Sequence, residues 1–113
     1  MVETEVTGVA VTKKRRKPPI PEVSEALRPY LDQHPKARED SYSQNSASIR
    51  VRVIDPDFEG IDRVDRYDLI WKYLETLPEH ILVQITVLLS LTPDEAKTSF
   101  ANMDFDHPIP SRL

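Results

Sequence analysis

Six carboxylates crowd one stretch of this chain. Asp55, Asp57, Glu59, Asp62, Asp65 and Asp68 surround Gly60. Oxygens at alternate positions are how a loop wraps a hard divalent cation. Asp55, Asp57 and Glu59 have that spacing, but no glutamate follows where such a loop must close. Helix capping and solvated charge account for the cluster more simply. The histidines are His34, His80 and His107. His34 and His107 each precede a proline, and His80 lies in a short connection after Pro78. An imidazole ligand needs partners. His80 is the best of the three, because its turn can lie near Tyr67. The chain has no cysteine, which excludes disulfides, thiol catalysis and metal or cluster ligation by its own thiolates. No serine sits among small residues in a nucleophile elbow. The sequence therefore predicts no catalytic residues, no metal ligands and no bound cofactor.

The basic residues suggest a different chemistry. Lys13, Lys14, Arg15, Arg16 and Lys17 form a continuous run before Pro18 and Pro19. Such a block reads as a solvated arm, a localisation signal or a phosphate-binding arm. Arg50 and Arg52 give a strand one basic face. Together these seven are the candidate nucleic-acid contacts. The bulk charge opposes that use. Residues 1–48 carry 8 basic and 7 acidic groups, net +1, whereas residues 49–113 carry 7 and 12, net −5. The foldable part is the acidic part, and phosphate is repelled by it.

The elements that must position these groups follow from periodicity. At 113 residues the chain is one domain at most. Residues 1–21 read as a disordered tail with the basic run, residues 22–105 as the domain and residues 106–113 as a flexible tail. Val23, Leu27 and Leu31 share a face of a helix over Glu22–Gln33, kinked or split by Pro29. A weak edge strand falls around Ala37–Tyr42. Ser48–Asp55 alternates Ile49, Val51 and Val53 with Arg50 and Arg52, as in a sheet half exposed to water. Asp62 is placed to cap a helix, with Asp65 in the capping-box position. That helix carries Val64, Tyr67, Ile70, Trp71, Leu74 and Leu77 and ends at Pro78. Leu82–Leu89 reads as a buried strand. Thr92, Pro93 and Glu95 open a last helix reaching about Asn102, with an irregular tail from Asp104. The expected core includes Val51, Val53, Val64, Ile70, Leu74, Leu82, Val87 and Leu88. The predicted class is α+β, a two-layer α-β-β-α-β-α domain with a three-stranded mixed sheet and helices on one face.

Four segments in order resemble the BolA-like family, whose fold is similar to the class II KH domain. They are Glu39–Asn45 (EDSYSQN), Ile49–Val53 followed by Phe58-x-Gly60, Arg66 with Ile70 and Leu74, and Thr92–Glu95 (TPDE). The resemblance covers about residues 24–97. It implies a small regulatory module, stress- or iron-linked, that works through protein–protein contacts with a monothiol glutaredoxin. Members bridge a [2Fe–2S] cluster with that partner through histidine. Here the corresponding positions hold Tyr67, Gln84 and Gln44. Phenolate has a reference pKa of about 10, and an amide is a poor iron ligand. The resemblance thus implies a partner-binding surface at Arg66, Tyr67, His80 and Gln84 without a cluster. KH domains bind nucleic acid through a GxxG loop, which this chain lacks. A transcriptional regulator that binds nucleic acid through the KH-like fold is the alternative, and a small structural subunit of a larger complex is a weaker one. No apolar run approaches the ~20 residues of a membrane span. Glu3 and Glu5 precede the basic run and no apolar segment follows it, so the N-terminus does not read as a signal peptide. The expected location is the cytoplasm.

Overall fold

The computed structural model describes residues 18–108, so Lys13–Lys17 and the last five residues lie outside it. The elements are α1 (Ile20–Gln33), β1 (Arg38–Asn45), β2 (Ser48–Ile54), a 3-10 turn (Pro56–Phe58), α2 (Arg63–Leu74), a short α3 (Glu79–Leu82), β3 (Ile85–Leu91), α4 (Pro93–Thr98) and α5 (Phe100–Asp106). β2 is central. It pairs antiparallel with β1 and parallel with β3, giving a mixed three-stranded sheet in an α+β domain. Parallel pairing needs a crossover, and α2 with α3 supplies it. Among the described residues no helix is long and apolar enough to cross a membrane.

α1 begins at Ile20, earlier than its periodicity suggests. Pro21 lies in its first turn, where a missing N–H costs nothing. Pro29 neither splits nor ends it. Pro29 and the preceding turn at Glu25 are exposed, so the carbonyl left free by the proline can turn to water. Val23, Leu27 and Tyr30 face inward, one turn apart, and are buried. They pack with Ile49, Val51 and Val53 from β2, Phe58 from the turn, Ile70 and Leu74 from α2, and Ile81 from α3.

The core departs from expectation at Val64, which is 65% exposed. The buried stripe of α2 is Arg66, Ile70 and Leu74. Val64 sits two residues before Arg66, roughly 200° around the helix at 3.6 residues per turn. An arginine holds the inward position that an apolar residue was expected to hold. Leu82 and Leu88 are half-buried against the core, and Val87 is half-buried. β3 lies at the sheet edge, so it is less enclosed than a central strand. It also starts three residues later than expected. Pro78 caps a helical turn instead, whose Ile81 and Leu82 amides donate to the Pro78 carbonyl.

β1 is longer than its weak signal, pairing from Arg38 opposite Ile54 to Asn45 opposite Ser48 around the tight turn at Ser46 and Ala47. The Asn45 side chain accepts from the Ala47 amide at 2.9 Å, closing the turn locally. The capping box at Thr92 and Glu95 forms as predicted. The last helix then breaks at Ser99, which is extended and whose hydroxyl caps α5 by accepting from the Asn102 amide. α5 continues through Asp106, where an irregular tail was expected. Asp62 occupies the N-cap of α2 but makes no side-chain capping bond.

Gly60 has φ +81°, a left-handed backbone that other residues resist. A Cβ at this position meets nothing within 4 Å. Gly60→Ala should therefore cost about 1–2 kcal/mol from backbone strain alone, measured by urea unfolding. An unchanged midpoint would show that the turn relaxes to negative φ.

Candidate functional site

Arg66 is fixed inside the fold. Its guanidinium donates to Glu95 Oε1 at 2.6 Å and Oε2 at 3.1 Å, and to the carbonyls of Ile61 at 2.7 Å and Ser90 at 3.1 Å. It also lies over the Phe58 ring, 5.6 Å from the centroid. This two-pronged pair joins α2 to the start of α4. The Arg66 hydrogen bonds, then the Thr92 backbone bond, pull the Glu95 carboxyl down to about 2. Arg66 is thus buried and committed to the fold, which corrects its expected place on a partner-binding surface.

Tyr67, one residue on, points outward. It is 44% exposed and its ring stacks on Trp71, with centroids 5.6 Å apart and planes 11° from parallel. With Val64 it makes an apolar stripe on the outer side of α2. His80 is exposed, and its carbonyl accepts from the Gln84 side-chain amide at 3.0 Å. Among the described residues no hydrogen bond joins Tyr67 to His80 or Gln84.

Arg50 and Arg52 do project from the face of β2 opposite Ile49, Val51 and Val53. That face is not open. Arg52 is buried, bonded to Asp40 at 2.8 and 3.2 Å, to Asp106 at 2.8 Å and to Asn102 at 2.9 Å, and it lies 4.5 Å from the Phe105 ring centroid. Arg50 bonds Asp104 at 3.2 Å and the Tyr42 hydroxyl at 3.3 Å. α5 covers what reads in the sequence as a solvated basic face, and its carboxylates neutralise both arginines. A hollow of about 320 Å³ remains beside them, lined by Asp40, Tyr42, Arg52, Phe105, Asp106 and Pro108. Its charged groups are already paired. This corrects Arg50 and Arg52 as free nucleic-acid contacts.

The structure gathers a constellation that the sequence holds apart. His34 caps the C-terminal end of α1, while Asp55 and Asp57 bracket the first residue of the 3-10 turn. The His34 Nδ1 lies 2.8 Å from Asp57 Oδ2 and 3.2 Å from Asp55 Oδ2. One ligand-type atom from each residue falls within 4.8 Å of the other two. Asp55 Oδ1 accepts the Asp57 amide at 2.9 Å, and Oδ2 accepts the Tyr30 hydroxyl. The Tyr30 and His34 rings stack 4.0 Å apart and 10° from parallel. Burial, then the bond to Asp55, raises the Tyr30 phenol well above its ordinary range, so it remains a donor. The Asp55-x-Asp57 spacing is visible in the sequence. Its histidine lies 21 residues upstream of Asp55, and no local pattern joins them. Among the described residues this is where the side chains suited to holding a metal converge.

No protein-family model matches this chain, and a search of curated proteins finds no matching sequence.

Proposed function

We propose that this chain is a non-catalytic, BolA-like protein-binding module with a KH class II-like plan, acting in the cytoplasm. The contact surface is the outer side of α2, centred on Tyr67. The observation that carries this reading is the stacked Tyr67–Trp71 pair beside exposed Val64. Aromatic side chains that are held rigid yet exposed are the usual anchors of protein interfaces. Val83, Phe100 and Met103 are exposed too, but none belongs to a stacked aromatic pair. Arg66 supports the surface from behind by locking the rotation of α2. The mixed sheet with β2 at its centre and the crossover through α2 support the kinship with the BolA-like plan.

The proposed partner is a monothiol glutaredoxin, in stress- or iron-linked regulation. Docking proceeds without a shared cluster, because Tyr67 and Gln84 stand at the family's histidine positions. Titration of the host's monothiol glutaredoxin into the protein should give saturable binding without the visible absorption of a [2Fe–2S] centre. Tyr67→Ala should weaken it at least about tenfold, the scale of an anchor residue, with an unchanged circular dichroism spectrum. Equal affinity of wild type and variant would remove α2 as the contact. No binding at all would remove the glutaredoxin.

A further inference from the structure

We propose that His34, Asp55 and Asp57 form a binding site for one divalent first-row transition-metal ion. The inference is independent of the α2 contact and shares no residue with it.

Donor type comes first. One imidazole nitrogen and two carboxylate oxygens suit borderline and harder first-row ions such as Co²⁺, Zn²⁺ and Mn²⁺. Spacing comes next. Ligands on adjacent corners of an octahedron, with bonds of about 2.1 Å, stand about 3.0 Å apart. The His34 nitrogen stands 2.8 and 3.2 Å from its two oxygens. Two of the three separations already match, and the third, between the carboxylate oxygens, is under 4.8 Å, so a modest closure caps one face of an ion and leaves the remaining corners to water.

The surroundings hold the donors in place. The Asp55 side chain is 1% exposed, and both its oxygens are oriented, one by the Asp57 amide and one by Tyr30. Tyr30 also fixes the plane of His34 by stacking. Outer contacts of this kind position metal ligands elsewhere. A divalent cation would add to the charge compensation of the cluster. Among the described residues neither Asp55 nor Asp57 pairs with an arginine or lysine, and His34 is their only cationic partner. A buried carboxylate needs compensation, and for Asp55 it comes from two hydrogen bonds and His34, while exposed Asp57 is solvated. A divalent ion neutralises the pair. Asp57 is 65% exposed, so the ion has an open approach.

The test uses the full chain, freed of metal with a chelator. Titration with Co²⁺ should develop visible ligand-field bands with one-to-one stoichiometry, and Zn²⁺ should displace them. His34→Ala and Asp57→Asn should each weaken Co²⁺ binding at least tenfold. Asp57→Asn keeps the shape of an exposed side chain, so it guards against a folding defect in the histidine variant. Circular dichroism checks both. Three results would overturn the proposal. The first is the absence of saturable Co²⁺ binding by the wild type. The second is binding that survives both substitutions, which would place the ion elsewhere. The third is no metal response, with His34→Ala and Asp57→Asn each lowering thermal stability. That result would make the cluster a hydrogen-bonded latch between α1 and the turn.

Discussion

Arg66→Ala should lower unfolding free energy by about 3 kcal/mol, near the lower end of the range for removing one partner of a buried ion pair. The lower end applies because Glu95 keeps a third of its side chain in water and can rehydrate. The substitution also strips donors from the carbonyls of Ile61 and Ser90, and unmet buried acceptors are costly. Arg66→Lys should recover only part of the loss, because an ammonium cannot span both Glu95 oxygens and two carbonyls at once. The pair also sets a pH dependence. Glu95 is held at about 2 against an ordinary value of 4.5. A depressed carboxyl stabilises the fold above its ordinary value, and that stability is lost as pH falls from 4.5 towards 2. Wild type should therefore lose stability over that window more steeply than Arg66→Ala. Urea unfolding at a series of pH values measures both. A loss below about 1 kcal/mol, typical of an exposed pair, would show that Arg66 is not the clamp described.

Much of this architecture is legible in the residues, because local signals and burial agree. Ile49, Val51 and Val53 alternate and are buried. Thr92, Pro93 and Glu95 make the helix start that their types demand. The illegible parts share a physical cause. Val64 reads as core because an apolar residue on a helix reads as buried, whereas the inward position belongs to an arginine neutralised by a glutamate 29 residues away. Arg50 and Arg52 read as a wet face because their partners, Asp40, Asp104 and Asp106, come from two other elements. Ser99 reads as helix interior until one sees that its hydroxyl caps a second helix. In each case a charged or polar group is satisfied by a distant partner, and periodicity carries no information about such pairing.

The candidate sites show the same limit. Tyr67 enters as a contact only through the resemblance, since periodicity groups it with Val64 and Ile70, and the structure turns it outward with Val64. The His34–Asp55–Asp57 cluster is not legible, since it exists only where the end of α1 meets the turn after β2. The sequence ranks His80 above His34 for its nearness to Tyr67. The structure instead gives His34 two carboxylates and leaves His80 with a backbone contact to Gln84.

Phe58→Ala should destabilise the fold by about 3–5 kcal/mol, the range for truncating a buried aromatic. Phe58 is fully buried although it lies in a three-residue turn. Its ring is 6.2 Å from that of Tyr30 in α1 and lies beneath the Arg66 guanidinium of α2. One side chain thus ties the end of β2 to the two long helices, α1 and α2, on the core face of the sheet. Truncation leaves a cavity bordered by three separate elements, which cannot collapse by moving one of them. Phe58→Leu should cost less, about 1–1.5 kcal/mol, because most of the volume remains. The backbone gives a second readout. The Phe58 amide donates to the Asp55 carbonyl at 3.1 Å, and the Phe58 carbonyl accepts from Ile61 at 2.9 Å. Hydrogen exchange at both amides should therefore accelerate in Phe58→Ala beyond the increase at strand amides of β2, which open only with the whole domain. A small loss in stability, or acceleration shared equally by β2, would mean that the turn is held by its backbone and not by the buried ring.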